Sequence, residues 1–186
     1  MKQGKLFVIS GASGVGKSTV LSHVMAARND LSFSVSATTR PPRPTEVEGV
    51  HYYFISKEAF EELIQQDAFL EYNNHNENYY GTPVAQLEEK MKTSHVMLDI
   101  EPVGAKNVRE KRADATLIFI VPPSMEELER RLRSRGDTSE EQIAIRLERA
   151  QWEIEQRVWY DHVVVNDVPE TCAEAILKII AQAANE

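Results

Sequence analysis

Residues 11–18, Gly11-Ala12-Ser13-Gly14-Val15-Gly16-Lys17-Ser18, spell G-x-x-x-x-G-K-S, with Thr19 next. That spacing is the chemistry of a polyphosphate grip. A polyphosphate needs many N–H donors close together, and glycines let the backbone approach with no side chain in the way. A helix starting near Lys17 would aim its unpaired N–H groups and positive dipole end at the same anion. Lys17 would reach the β- and γ-phosphates, and the Ser18 hydroxyl would ligate Mg²⁺.

Other candidates lie further along the chain. Arg40 and Arg43 flank Pro41 and Pro42, with Pro44 after them. The prolines exclude helix and central strand, and stiffen the segment that carries both guanidinium groups. Arg130, Arg131, Arg133 and Arg135 form a second basic group. Arg131 and Arg135 are four residues apart, hence on one helix face. A solvated face or turn is the alternative use of either cluster.

The elements that must position these residues follow from periodicity. Leu6 to Ser10 is a mostly apolar strand, and Val20, Leu21, Val24 and Met25 form one face of a helix over 17–27. Alternation over 32–36 predicts a half-buried strand; 49–56 and 69–72 read as strands, with a short helix over 57–66 between them. The polar run 73–78 reads as a turn. Thr82 is expected to cap a helix with Pro83 in its first position, ending near Lys92. A strand over 95–100 ends in Asp99, a short helix covers 103–111, and 115–121 is a strand buried on both faces. Capping boxes at Ser124–Glu127 and Thr138–Glu141 open two helices separated by Gly136. Residues 163–165 form a last strand and 172–184 a last helix. Strands alternating with helices predict an α/β fold with a mainly parallel sheet. The 34–81 region breaks the rhythm, as an inserted β-rich subdomain would.

With 186 residues the chain suits one domain. No apolar run approaches the length of a spanning helix, and no signal peptide is expected ahead of the first strand. Cys172 is the only cysteine, so an intrachain disulfide or cysteine metal cluster is excluded. The expected setting is the cytoplasm. A net charge of −8 argues against nucleic-acid binding, whereas local arginine clusters suit a small polyanion.

The order of motifs resembles the guanylate kinases, nucleoside monophosphate kinases with a P-loop. The resemblance runs from about Gly4 to Ile180 and rests on the Gly11–Ser18 loop, Thr38-Thr39-Arg40-Pro41-Pro42-Arg43, Gly49-Val50-His51-Tyr52, Phe69-Leu70-Glu71, Asn78-Tyr79-Tyr80-Gly81, Leu98-Asp99-Ile100 and Arg131–Gly136. It implies a P-loop three-layer core (4–33, 83–123 and 156–184), a GMP-binding subdomain (34–82) and a helical lid (124–155), within a domain over 4–182. It implies transfer of the γ-phosphate of ATP to GMP with Mg²⁺, the partners being the two nucleotides rather than a nucleic acid or membrane.

By the same resemblance, residues Gly11 to Thr19 and Asn166 bind ATP. Arg40, Arg43, Tyr52 and Tyr80 hold the GMP phosphate. Guanidinium forks suit its oxygens, and core packing is the other use for the tyrosines. Glu71 reads guanine, because an acceptor-only carboxylate suits the adjacent N1–H and N2–H donors. Ser36, Gly81 and Thr82 lie beside the base. Asp99 contacts GMP, binds Mg²⁺ through water or caps the next helix. Lys17, Arg131, Arg135 and Arg146 neutralise the moving phosphoryl group. The chain departs from the family at Glu101, Pro102 and Val103, and Glu77 stands where a turn glycine is common. Two rival activities remain at this stage: a P-loop kinase acting on a ribose bisphosphate, and a non-catalytic guanylate-kinase-like module that binds proteins. A switch GTPase is disfavoured by the lack of Asn-Lys-x-Asp and Asp-x-x-Gly motifs.

Overall fold

A computed structural model of the chain describes residues 3–75, 77–134 and 139–185. Leu6, Phe7, Val8, Ile9 and Ser10 are almost wholly buried and form β1 (Leu6–Gly11). It is followed by α1 (Lys17–Ala26), β2 (Leu31–Phe33), β3 (Ser36–Thr38), β4 (Tyr52–Phe54), α2 (Lys57–Gln65), β5 (Phe69–His75) and β6 (Asn78–Pro83). Then come α3 (Val84–Met91), β7 (His95–Asp99), α4 (Pro102–Lys111), β8 (Thr116–Val121), α5 (Met125–Ser134), α6 (Glu140–Glu155), β9 (His162–Val165) and α7 (Pro169–Asn185). The predicted α/β class holds. One five-stranded sheet has the order β2-β7-β1-β8-β9, with parallel β1–β8, β8–β9 and β2–β7 pairs. A second, four-stranded sheet has the order β4-β3-β6-β5.

The chain divides into two compact units. One comprises Met1–Leu6, Asp30–Leu98 and Val103–Ala115; the other comprises Phe7–Asn29, Asp99–Pro102 and Thr116–Glu186. The first holds the four-stranded sheet, which is mixed: β3–β4 is parallel, β3–β6 and β5–β6 antiparallel. One face of this sheet packs on α2 through Ala37, Phe60 and Phe69, joined by Tyr53, Ile55, Leu63 and Tyr79. Phe60 stacks between Phe69 and Tyr79, with ring centroids 4.2 and 5.1 Å away. In the second unit α1 packs against α7, and α5 against α6.

Several boundaries differ from the sequence expectation. The single strand over 32–36 is two strands, because β2 pairs with β7 while β3 pairs with β4 and β6. The turn-rich run 73–78 is mostly strand: β5 continues to His75, which pairs with Asn78 at the start of β6. Glu77 in that hairpin adopts φ 63°, the conformation a glycine takes easily. Thr82 does not cap α3. It sits in β6 and its hydroxyl donates to Glu71, so Pro83 precedes the helix with no side-chain cap. Ser124 does cap α5, accepting from Glu127 N–H at 3.1 Å. Ser139 caps α6 by accepting from Gln142 N–H; Thr138 and Gly136 lie outside the described residues.

Candidate active site

The candidate residues fall into two groups, one in each unit. In the second unit, the 11–18 loop turns from β1 into α1 with Gly14 at φ 84° and Gly16 at φ 90°. Both are left-handed conformations that any side chain would strain, so these two glycines are required by the loop's path. The Lys17 ammonium forms an ion pair with the Asp99 carboxylate at the end of β7. Both side chains keep substantial exposure, 22% and 39%. Ser18 and Thr19 lie exposed in the first turn of α1.

Two further residues fasten the loop. Asn166 Nδ2 donates to the Val15 carbonyl at 2.7 Å, and its own backbone N–H donates to Val121 O at 2.8 Å. Glu153, on α6, accepts from Ser13 N–H at 2.6 Å. Glu153 is 3% exposed; its other oxygen accepts from Arg149 Nε at 3.1 Å, and Arg149 Nη2 bonds Glu101 at 2.5 Å. Glu101 thereby has a partner on α6. Nothing in the motifs pointed to Glu153. Its one signal is register, since it falls three residues after buried Ala150 and ten after buried Ile143.

Arg131 is held firmly. Its Nε donates to Glu127 at 2.7 Å, Nη1 to Asn166 O at 2.9 Å and Nη2 to Asp167 O at 3.1 Å. With Gly14, Gly16, Thr19 and Asn166 it lines a cavity of about 500 Å³ beside the loop. Arg146 is exposed on α6. Arg135 lies outside the described residues.

The first unit collects the other group by strand register. Ser36 pairs with Tyr52, Thr38 with Tyr80, and Glu71 with Thr82. Side chains alternate along a strand and paired residues share a face. Ser36, Tyr52, Glu71, Tyr80 and Thr82 therefore stand on one face, opposite the one that packs on α2. Gly81 points the other way, where an added Cβ would come within 2.9 Å of Tyr72 Cβ. Its need is packing.

Glu71 is 5% exposed, and the Thr82 hydroxyl donates to its Oε1 at 2.6 Å. Burial pushes the Glu71 carboxyl above the ordinary carboxylate range; the bond from Thr82 opposes that shift. Tyr52 and Tyr80 meet edge to face at 6.0 Å, and the Arg40 guanidinium lies 5.6 Å from the Tyr52 ring centroid. The Thr-Thr-Arg segment is bolted to the Tyr-Tyr segment. Thr39 N–H donates to Tyr79 O, Tyr79 N–H to Thr39 Oγ1, and Thr38 Oγ1 to Tyr79 O at 2.9 Å. These bonds explain why two motifs 40 residues apart belong together.

Arg40 has a partner that sequence reasoning missed. Its Nη1 and Nη2 grip both oxygens of Glu46 at 3.0 and 2.8 Å, and Arg43 N–H donates to Glu46 at 2.7 Å. The Arg40 guanidinium, followed by the Arg43 N–H, holds the Glu46 carboxyl down at about 2. The Arg43 side chain is exposed.

Mg²⁺ is tested by the donors available. Among the described residues no group of three or more His, Cys, Asp or Glu is placed to hold a metal ion. A magnesium that arrives with a nucleotide needs only one or two protein oxygens, the rest coming from phosphates and water. Ser18 and Asp99, both exposed near Lys17, fit that requirement. Among the described residues no helix is long and apolar enough to cross a membrane.

Comparison with known proteins adds to this geometry. The family model for guanylate kinase matches residues 3–183. A guanylate kinase from Thermus thermophilus is 49% identical over 179 residues, covering 96% of this chain and 81% of the relative. One from Haemophilus influenzae is 52% identical over 171 residues, covering 90% and 82%. The crystal structure of guanylate kinase from Anaplasma phagocytophilum superposes with a TM-score of 0.73 at 32% identity, covering 99% of this chain and 88% of that one.

Proposed function

This chain belongs to the guanylate kinase family, and from that premise we propose how its residues carry the reaction. The chain is an ATP:GMP phosphotransferase: it moves the γ-phosphoryl group of ATP to GMP, giving ADP and GDP. The observation that best supports the residue roles is the shared face of Ser36, Tyr52, Glu71, Tyr80 and Thr82, with Arg40 on the loop just after β3.

On that face Glu71 accepts from the N1–H and N2–H of guanine. Thr82 orients the carboxylate and Ser36 borders the base, while Gly81 serves the site by its close packing on Tyr72. A base without the paired donors would leave a buried carboxylate unsatisfied, which is the discrimination against adenine. Arg40, Arg43, Tyr52 and Tyr80 hold the acceptor phosphate. The residues from Gly11 to Thr19 hold the phosphates of ATP, Lys17 reaching the terminal ones as it exchanges Asp99 for them. Asn166 borders the nucleoside of ATP, and Arg131, Arg135 and Arg146 act on its phosphates. Mg²⁺ would be held by Ser18 and, through water, by Asp99, and would supply positive charge to the terminal phosphates.

The attacking group is already an anionic phosphate oxygen, so no general base is required. Alignment and charge neutralisation carry the rate. Residues 34–82 serve as the GMP-binding subdomain, 124–155 as the lid and the remainder as core; exclusion of water on closure limits wasteful ATP hydrolysis. Cys172, a free thiol buried in α7 and pushed up to about 11 by burial, is a packing residue that suits the reducing cytoplasm.

A coupled ADP-release assay against GMP, dGMP, AMP, UMP and a ribose bisphosphate tests this reading. ADP release should depend on GMP, with dGMP also accepted and AMP and UMP poor. Release with the ribose bisphosphate and none with GMP would overturn it.

A further inference from the structure

Arginine has five N–H donors, and three of those on Arg40 are spent: Nη1 on Pro41 O and Glu46, Nη2 on Glu46. The donors left are Nε–H and the second Nη2–H, which form the side edge of the guanidinium. The Arg40 and Glu46 side chains are only 17% and 12% exposed. The bidentate carboxylate admits two meanings. It is a stand-in for the acceptor phosphate that must leave, or a brace that stays.

We infer that Glu46 is a positioning residue, which holds the end edge of Arg40 throughout and presents the side edge to the phosphate of GMP. This rests on the reading of Arg40 as a GMP-phosphate ligand. Three observations favour the brace. Glu46 is fixed from the backbone: its N–H donates to Arg43 O at 2.9 Å, and its carboxylate accepts from Arg43 N–H. Pro41, Pro42 and Pro44 stiffen the same turn. Leaving would strand the Arg43 N–H and the end edge of Arg40. The incoming phosphate would then have to satisfy them in addition to reaching Tyr52 and Tyr80. A braced arginine also has less rotamer freedom to lose on gripping an anion.

The test compares the wild type, Arg40→Ala, Glu46→Gln and the double variant. KM is measured separately for GMP and ATP, and thermal unfolding confirms that each is folded. Glu46→Gln keeps the size but weakens the grip, so KM for GMP should rise roughly tenfold while KM for ATP stays within about twofold. Because Glu46 acts through Arg40, the double variant should be no worse than Arg40→Ala alone. A structural role without positioning would instead move both KM values and add in the double variant, which overturns the inference. A fall in KM for GMP in Glu46→Gln would mean that the carboxylate competes with the phosphate, and overturns it too. If Arg40→Ala raises KM for GMP and Glu46→Gln does not, only the brace fails. If neither changes it, the assignment of Arg40 to the GMP phosphate fails as well.

Discussion

Each unit of this molecule pairs a candidate phosphate-gripping cation with a carboxylate, and the two pairs are built differently. Lys17 meets Asp99 as one ammonium and one carboxylate, with the side chains 22% and 39% exposed. Arg40 meets Glu46 through two parallel bonds, with a third bond from Arg43 N–H and far less exposure. A lysine ammonium is a compact charge on a flexible stem, and it can change partners at little geometric cost. An arginine fork has distinct edges, so one can be tied down while the other works. In the proposed reaction the difference has a use. The donor's terminal phosphate moves during the step, and the acceptor's phosphate must be held still for it.

The largest effect should come from the donor side. Lys17→Ala removes the charge that follows the transferring group, and kcat should fall by about a thousandfold, the scale seen when one transition-state donor is lost. Steady-state ADP release measures it, and near-normal turnover would break the assignment of Lys17.

On the acceptor side, Glu71→Gln replaces an acceptor-only group with an amide that presents N–H donors. kcat/KM for GMP should fall about a hundredfold, while KM for ATP is little changed. Glu71 also gives a pH signature. Burial raises its carboxyl above the ordinary range, so it is still partly protonated where an exposed glutamate is ionised. Affinity for GMP is therefore full above that raised value and is lost as pH falls through it. A GMP titration over mildly acidic pH should show this dependence in the wild type and not in Glu71→Gln.

The smallest effect sharpens the picture of the acceptor sheet itself. Glu77 holds a left-handed φ of 63° in the β5–β6 hairpin. Glu77→Gly relieves that strain and gives back part of it as chain entropy, for a net gain of up to about 1 kcal/mol in denaturant unfolding. KM for GMP should not move.

What the sequence made legible was local. The loop spelling, apolar periodicity and proline positions act over a few residues, and they locate the 11–18 loop, the main strands and helices, and the cap at Ser124; the cap of α6 is Ser139, one residue after the start of the predicted box. The resemblance then names the residues that β3–β6 present together. What stayed hidden depends on partners far away in the chain. Thr82 reads as a helix cap until Glu71, 11 residues earlier, takes its hydroxyl. Glu153 reads as one more surface acid on a charged helix, yet its carboxylate accepts from the backbone N–H of Ser13, 140 residues away. Glu46 is only six residues from Arg40, but a loop without periodicity gives no sign of which way its side chains turn. The 32–36 stretch reads as one strand because alternation identifies a strand but not the sheet it joins.

The division of labour between the two pairs is tested most directly by calorimetric binding of GMP, with no ATP present, to Lys17→Ala, Arg40→Ala and Glu46→Gln. Lys17→Ala should bind GMP within about twofold of the wild type, while Arg40→Ala and Glu46→Gln should each weaken it roughly tenfold or more. Equal loss of GMP binding in Lys17→Ala and Arg40→Ala would contradict a donor grip and an acceptor grip carried by different pairs.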